Sequence, residues 1–412
     1  MSPADTPTLV SASELASLRR TVESLLPDYL RDLERLVNID CGSYTKPGID
    51  EVGRFVAGFL RDQLAAEVEI DANERLGDTV IGRLAGAQGG PRALLIGHMD
   101  TVFEPGTAAE RPFRVEDGIA YGPGVTDMKS GLLCGLYALK VLRALAGPGD
   151  AAGAWLPLEA LTFVANPDEE IGSPVSSPVI RREAASADLA LVLECARANG
   201  DIVSSRKGIV DLHLVITGRA AHAGVEPEKG RSATLEAAHK TIALHALNGR
   251  WPGVTVNVGV IDGGTRPNVV AEHALLKVDV RAVTRSALEQ AEAAILETAA
   301  TSTVPDVTTI VEEHGRHWPM EKLERSSRLI QHARDLADEL GFALNDAATG
   351  GASDANTTAG MGMPSIDGLG PIGGNDHSPA EYLEVASVVP RVTLLAGLLL
   401  AAARDPQVGA WR

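Results

Sequence analysis

Short acidic and histidine motifs recur along the chain, and most of them follow an apolar run of strand character. The early motifs are His98-Met99-Asp100, Asp127 and Glu169-Glu170, followed by Glu194 and, much later, His377. Side chains at the carboxyl ends of buried parallel strands converge on one crevice. Two histidines and several carboxylates in one crevice form a ligand set for divalent metal, so the series predicts a site for two ions.

The spacing of the first motif suggests a metal ligand and its support. His98 and Asp100 are two residues apart, so on a strand or its extension their side chains point the same way. Asp100 would then accept a hydrogen bond from the ring nitrogen of His98 that faces away from a metal. Taken alone, the pair also fits a histidine satisfied within a turn, and its position at a strand end favours the metal interpretation.

The second motif places Asp127 in a loop rich in glycine, just before a helix that begins near Lys129. An aspartate in this position is commonly a helix cap. The alternative is a carboxylate that bridges two metal ions roughly 3.5–4 Å apart.

The third motif, Glu169-Glu170, directly follows an apolar run. Adjacent carboxylates there are costly without a cation, because each raises the pKa of the other. One can ligate a metal while the other faces bound water as a general base, and the alternative is a solvated loop that caps a helix. Glu194 also fits a surface carboxylate at a sheet edge, and His377 also fits an ordinary loop histidine.

Composition narrows the class of protein. The chain has 412 residues, with 45% hydrophobic, 22% charged and only 4% aromatic residues, and a formal net charge of −18. We expect two or three domains, no nucleic-acid partner and no membrane partner. Three separated cysteines and the absence of an apolar leader after Met1 favour a cytoplasmic protein. The apolar stretch 394–403 is interpreted as a closing core helix.

The elements that must position these motifs alternate between helix and strand. Apolar periodicity predicts helices and strands in the order typical of a mostly parallel sheet with helices on both faces. The predicted helices are Ser11–Val37, Val52–Leu64, Gly131–Leu145 (ended by Gly147-Pro148-Gly149) and Val175–Ala185. The predicted strands are Thr79–Arg83, Ala93–Gly97, Ala160–Asn166 and Leu189–Leu193.

The pattern changes near Arg206 to alternating, half-exposed strands separated by two helices. The order strand–helix–strand–strand–helix–strand predicts a ferredoxin-like unit inserted into the first domain. We therefore expect a catalytic domain over 1–205 and 320–412, interrupted by an inserted domain over 206–319.

Read in order, the five motifs resemble those of the di-zinc aminoacylase/carboxypeptidase family over nearly the whole chain. The resemblance implies an α/β, mostly parallel-sheet di-zinc exopeptidase domain with a ferredoxin-like lid and dimerisation domain. It pairs His98 with Glu194 and Glu170 with His377, with Asp127 as the bridge. It makes Glu169 the general base and Asp100 the support of His98, and it implies a cis peptide bond after Asp127.

The inserted unit and the segment after it carry further matches to the family. His222 lies in Gly218-Arg219-Ala220-Ala221-His222-Ala223-Gly224 and would stabilise the oxyanion, often in the partner subunit. Arg281 and Asn268 match positions that hold the free carboxylate of the substrate, and Gly351 and Ser353 lie in a loop suited to anions. Without the resemblance, His222 also fits a histidine in a turn, Asn268 an asparagine in a turn, and Arg281 a solvated residue at a strand end.

The activity implied by the resemblance is hydrolysis of an amide bond next to a C-terminal amino acid with a free carboxylate. The motif Pro167-Asp168-Glu169-Glu170-Ile171-Gly172-Ser173 is most similar to the folate-hydrolysing glutamate carboxypeptidase type. An N-acyl-amino-acid deacylase or a dipeptidase is the alternative, and a catalytically silent metal-binding relative is disfavoured by the presence of Glu169 and His222. Two Zn²⁺ are expected, with Co²⁺ or Mn²⁺ also compatible with these ligands, together with a small-molecule substrate and a homodimer.

Overall fold

The computed structural model describes residues 9–86, 88–146 and 155–411. The chain divides into two compact units. Unit 1 comprises Met1–Ser204, Lys322–Ala348 and Ser353–Arg412, and unit 2 comprises Ser205–Glu321 with Thr349–Ala352. The predicted helix stop at Gly147-Pro148-Gly149 lies outside the described residues.

Unit 1 is built on a six-stranded sheet in the order β1-β2-β6-β3-β7-β14. The three neighbour pairs β6–β3, β3–β7 and β7–β14 are parallel, while β1 and β2 join the edge antiparallel. The strands are β1 Glu67–Asp71, β2 Thr79–Ala85, β3 Arg92–His98, β6 Ala160–Asn166, β7 Leu189–Val192 and β14 Ser365–Ile366. The predicted fold class, α/β with a mostly parallel sheet, is confirmed.

Register within this sheet brings the carboxyl ends of three strands together. His98, the last residue of β3, lies opposite Asn166, the last residue of β6. Ile96 of β3 lies opposite Val192, the last residue of β7. The segments that follow these strands, which carry the predicted site residues, therefore start from one edge of the sheet.

A smaller antiparallel sheet of unit 1 has the order β15-β16-β5-β4. Its strands are β4 Arg114–Glu116, β5 Ile119–Tyr121, β15 Gly373–Gly374 and β16 Tyr382–Glu384. Tyr382 of β16 is paired with Tyr121 of β5, so this sheet joins the segment before Asp127 to the segment that contains His377. Two further strands, β8 Ile202–Arg206 and β13 Asp346–Thr349, form a two-stranded sheet.

Helices of unit 1 pack around the large sheet. They are α1 Ala12–Val37, α2 Lys46–Gly58, α3 Thr107–Glu110, α4 Ser130–Ala146, α5 Ser176–Ala184, α8 Glu324–Leu340, α9 Asp354–Gly360, α10 Val385–Arg404 and α11 Pro406–Gly409. Ser11 caps α1, because its hydroxyl accepts from the Glu14 amide at 3.3 Å while the Glu14 carboxylate accepts from the Ser11 amide at 2.9 Å. A π-helical turn, Phe59–Gln63, continues α2.

Helix α10 is long and largely apolar. Its length and composition would suit a membrane span, but 72% of its apolar window is buried within the protein. It packs against α1, α4 and α8, which fits the predicted closing core helix.

Unit 2 is a four-stranded antiparallel sheet in the order β10-β11-β9-β12. Its elements in chain order are β9 Gly208–Thr217, α6 Ala233–His245, β10 Thr255–Gly263, β11 His273–Ala282, α7 Arg285–Ala300 and β12 Thr308–His317. Alternate residues of β9, such as Leu212 and Leu214, are buried with both helices in one apolar core. This is the β-α-β-β-α-β order predicted for the inserted unit.

Candidate metal centre

His98 ends β3 with its ring buried at the carboxyl edge of the sheet, 1% exposed. Its Nε2 atom lies 3.1 Å from Oδ1 of Asp127 and 3.7 Å from Oε1 of Glu194, which follows β7. Burial would lower the pKa of His98, but the carboxylates of Glu194, Asp100 and Asp127 outweigh it and raise that pKa well above its ordinary value.

His377 reaches the same centre from the loop between β15 and β16. Its Nε2 lies 3.1 Å from Oδ2 of Asp127 and 3.1 Å from Oε2 of Glu170. Hydrogen bonds to these two carboxylates raise the pKa of His377 to about 11. Asp127 therefore stands between the two histidines, with one carboxylate oxygen towards each ring.

The donor atoms are spaced for metal binding. His98, Glu169 and Glu194 form one group whose donor atoms all lie within 4.8 Å of one another, and His98, Asp127 and Glu170 form a second. Imidazole nitrogens and carboxylate oxygens are ligands that Zn²⁺, Co²⁺ and Mn²⁺ accept. The residues present therefore fit divalent metal ions.

Asp100 supports both the histidine and the glutamate pair. The His98 Nδ1 atom lies 3.0 Å from the Asp100 carbonyl oxygen and 3.3 Å from its Oδ1 atom. The carboxylate also accepts from the amides of Glu169 at 3.1 Å and Glu170 at 3.2 Å, and from the Ser43 hydroxyl at 2.7 Å. One buried carboxylate thus orients residues from two strand ends.

Glu169 lies among other carboxylates rather than in a solvated loop. Burial and the negative charge of Glu194 raise the pKa of Glu169 well above its ordinary value. Burial also raises the pKa of Glu170, although its hydrogen bond from His377 opposes this. The crowding of like charges is the electrostatic condition that a bound cation relieves.

The turn that carries Glu169 and Glu170 is held by a buried polar network that sequence reasoning did not assign. Asp354, at the start of α9, accepts from the Ser173 hydroxyl at 2.6 Å and from the Asn166 amide at 2.8 Å. Burial raises the pKa of Asp354 to about 6. The loop that contains Gly351 and Ser353, directly before Asp354, was the available signal, but the family resemblance matched it to the substrate rather than to this turn.

Asp127 lies in a tightly constrained loop. The Asp127–Met128 peptide bond is cis, as the family resemblance implied. The buried carboxylate of Glu381 accepts from the amides of Gly124, Thr126 and Asp127. Sequence reasoning assigned no role to Glu381.

The remaining predicted residues are divided between the two units. Ser353 belongs to unit 1, where its buried hydroxyl caps α9 and donates to Asp367 at 2.6 Å. His222 and Asn268 are exposed in unit 2, and the Ala223 amide donates to the Asn268 carbonyl at 3.0 Å. Arg281 of unit 2 pairs with Asp279 at 3.0 Å.

Two arginines of unit 2 bind the backbone of its glycine-rich segment, Thr349–Ala352. Arg281 donates to the Gly350 carbonyl at 3.0 Å, and Arg206 donates to the Gly351 carbonyl at 3.1 Å. Arg206 has no distinctive sequence motif around it, so the sequence alone predicts no role for it.

Metal binding should release protons. His98 and His377 both have a raised pKa, so we expect both rings to carry a proton in metal-free protein at pH 7, whereas a metal ligand must be deprotonated. We expect Zn²⁺ addition to chelator-treated protein to release about two protons or more per chain. Calorimetric titration in buffers of different ionisation enthalpy measures this number, and binding without proton release would contradict the placement of both rings in the centre.

Comparisons with known proteins identify the class to which this fold and this candidate metal centre belong. Peptidase family M20/M25/M40 matches residues 94–401. Carboxypeptidase G2 of Pseudomonas sp. (strain RS-16) is 33% identical over 380 residues, covering 91% of this chain and 89% of that protein. N-acetyl-L-citrulline deacetylase of Xanthomonas campestris is 28% identical over 377 residues, covering 88% of this chain and 95% of that protein.

Solved structures agree with this assignment. The crystal structure of aminopeptidase PepT from Bacillus cereus superposes with a TM-score of 0.76 at 25% identity, covering 92% of this chain and 99% of that one. The chain therefore belongs to peptidase family M20/M25/M40. It is a hydrolase of peptide or amide bonds in a metal-dependent family, and the predicted family resemblance is confirmed.

Proposed function

We propose that the protein is a two-zinc carboxypeptidase that removes a C-terminal amino acid, glutamate foremost, from an N-acyl or peptidyl substrate. The observation that carries this proposal is the position of Asp127 between His98 and His377, with Nε2–carboxylate distances of 3.1 Å on both sides. The similarity to carboxypeptidase G2 supports the choice of a carboxypeptidase.

Five side chains would hold the ions. His98 and Glu194 would bind one ion, Glu170 and His377 the other, and Asp127 both. When bound, two zinc ions supply a water of lowered pKa and a Lewis acid for the scissile carbonyl. Co²⁺ or Mn²⁺ would satisfy the same ligands.

Glu169 would move the proton in this reaction. Its raised pKa suits a carboxylate that accepts a proton from attacking water and then delivers it to the leaving amine. Asp100 would keep Glu169 in place through the bond from the Glu169 amide to its carboxylate.

The substrate would be held mainly by residues of unit 2. Arg281 would bind the free carboxylate of the substrate with its guanidinium group. Asn268 and the amide of Gly351 would bind the same carboxylate. His222 would donate to the oxygen that becomes negative during amide cleavage. Ser353 would order the loop that precedes α9, because its hydroxyl caps that helix.

We further propose a cytoplasmic homodimer that associates through unit 2. All three cysteines are free, which suits a reducing compartment. An N-acyl-amino-acid deacylase is the second candidate, favoured by the similarity to N-acetyl-L-citrulline deacetylase.

A hydrolysis panel tests the proposed substrate class. It compares N-benzoyl, N-acetyl and folate-like amides of glutamate and aspartate with simple dipeptides, each with a free or an amidated α-carboxylate. We expect folate-like and N-benzoyl glutamate to react fastest, and amidation of the α-carboxylate to abolish turnover. Fast cleavage of the amidated substrates would overturn the carboxypeptidase assignment, and preference for N-acetyl substrates would favour the deacylase.

The variant Arg281→Met should raise KM for glutamate amides by roughly 10–100-fold, because a charged hydrogen-bonding partner of the substrate is lost. Arg250→Met is the matched control, since Arg250 is an exposed arginine of the same unit. An unchanged KM in Arg281→Met would remove Arg281 from the substrate site.

A further inference from the structure

The loop between β15 and β16 carries two side chains that contact Asp127 of the candidate metal centre. One is His377, and the other is Glu381, which is 1% exposed. The loop is fixed internally, because the Ser378 hydroxyl donates to the Asn375 carbonyl at 2.7 Å and the Asn375 side chain donates to the Ala380 carbonyl at 3.2 Å. His377 and Glu381 therefore keep a set distance from each other.

The Glu381 carboxylate accepts hydrogen bonds from the backbone of the loop that carries Asp127. Its Oε2 atom accepts from the Gly124 amide at 2.8 Å, and its Oε1 atom accepts from the amides of Thr126 at 2.8 Å and Asp127 at 3.1 Å. Hydrogen bonds to a charged acceptor are stronger than those between neutral groups. Three of them converge on one carboxylate, and the last donor is the amide of the bridging residue itself.

The packing around this contact leaves little freedom for the Asp127 loop. Gly124 has φ +70°, and a Cβ atom there would lie 2.6 Å from Cγ2 of Thr101. A Cβ atom on Gly373 would lie 2.1 Å from Oγ1 of Thr126. The two loops also leave one small sheet, in which Tyr382 pairs with Tyr121.

We infer that Glu381 is a positioning residue that fixes the carboxylate of Asp127 between His98 and His377. This inference rests on the proposed function of the centre, and it adds a residue that touches neither the substrate nor the ligand carboxylate. Without Glu381, three buried amides lose their acceptor, and the direction of the Asp127 side chain is no longer tied to the loop that holds His377.

The test compares Glu381→Gln and Glu381→Ala with wild-type protein and with Glu384→Gln. Glu384 is a half-buried glutamate three residues further along the chain, at the end of β16, so Glu384→Gln is the matched control. Co²⁺ is the probe, with affinity measured against a chromophoric chelator and ligand geometry read from the visible spectrum of the Co²⁺-loaded protein.

We expect Glu381→Gln to weaken Co²⁺ binding by roughly 10–100-fold and to change the visible spectrum. Glu381→Ala should have the larger effect, since glutamine keeps one acceptor oxygen. At saturating metal, kcat should fall while KM changes by less than about twofold. Glu384→Gln should match wild type in every readout.

Metal affinity and spectrum equal to wild type in both Glu381 variants would overturn the inference, even if thermal stability fell. Should Glu381→Ala fail to fold, the metal affinity and spectrum of Glu381→Gln alone test the inference. If wild-type protein itself binds no Co²⁺, the proposed function of the centre fails, and this outcome is distinct from a failure confined to Glu381.

Discussion

Replacing Glu169 with glutamine is expected to lower kcat by roughly 10³-fold while the protein keeps its metal ions. Glutamine preserves the size of the side chain but cannot accept a proton. The Glu169 amide would still donate to Asp100, which holds the turn in place. KM for the glutamate substrate should change little, because the assigned role of Glu169 is in the reaction rather than in binding.

The control for this variant is Glu67→Gln, which makes the same chemical change at an exposed position on β1. Its kinetics should equal those of wild-type protein. Metal content should be measured by elemental analysis in all three proteins. Normal turnover in Glu169→Gln would remove Glu169 as the base, and loss of metal from that variant would make Glu169 a ligand instead.

Replacing Asp127 with asparagine is expected to reduce bound zinc from two ions to fewer than one per chain and to abolish hydrolysis. The carboxylate faces His98 with one oxygen and His377 with the other, both at 3.1 Å. An amide offers a single neutral oxygen, so it cannot serve both sides. The loss of metal affinity should exceed the roughly 10–100-fold typical of residues that only support a ligand.

Asp117→Asn is the matched control for this change. Asp117 lies in the turn between β4 and β5 with φ +50°, a conformation that asparagine also adopts readily. Its metal content and activity should equal those of wild-type protein. An Asp127→Asn variant that still held two zinc ions would contradict the bridging role.

Much of the architecture follows from apolar periodicity. The strands before Glu169 and leading to His98 are largely apolar, and their predicted bounds agree closely with Ala160–Asn166 and Arg92–His98. The start of α1 was predictable because Ser11 and Glu14 form a local capping box. Strand-end positions then bring His98 and Glu194 to one edge of the sheet, since the register of a parallel sheet leaves few alternatives.

The small sheet around β15 and β16 was not predictable in this way. Strands of two or three residues, such as Gly373–Gly374 and Tyr382–Glu384, are too short to show a period. The role of Glu381 depends on this sheet, because its three donors come from a loop more than two hundred residues earlier in the chain. Such contacts are set by tertiary packing, which local sequence does not encode.

The division of the glutamate pair was predicted from chemistry rather than from pattern. Adjacent glutamates after a buried strand need a cation, and neighbouring side chains point in different directions. In the structure Glu170 lies 3.1 Å from His377, whereas Glu169 groups with His98 and Glu194. The two carboxylates therefore lie in different environments, and their separate roles as ligand and base stay predictions that Glu169→Gln tests.

A zinc titration of chelator-treated protein tests the central claim most directly. Bound zinc and the rate of hydrolysis of a folate-like glutamate amide are measured in the same samples. We expect negligible hydrolysis without zinc and maximal hydrolysis when two ions are bound per chain, because four ligands would be divided between the two ions and Asp127 would bind both. Full hydrolysis in the stripped protein, or a maximum with no second ion bound, would contradict a two-metal amide hydrolase.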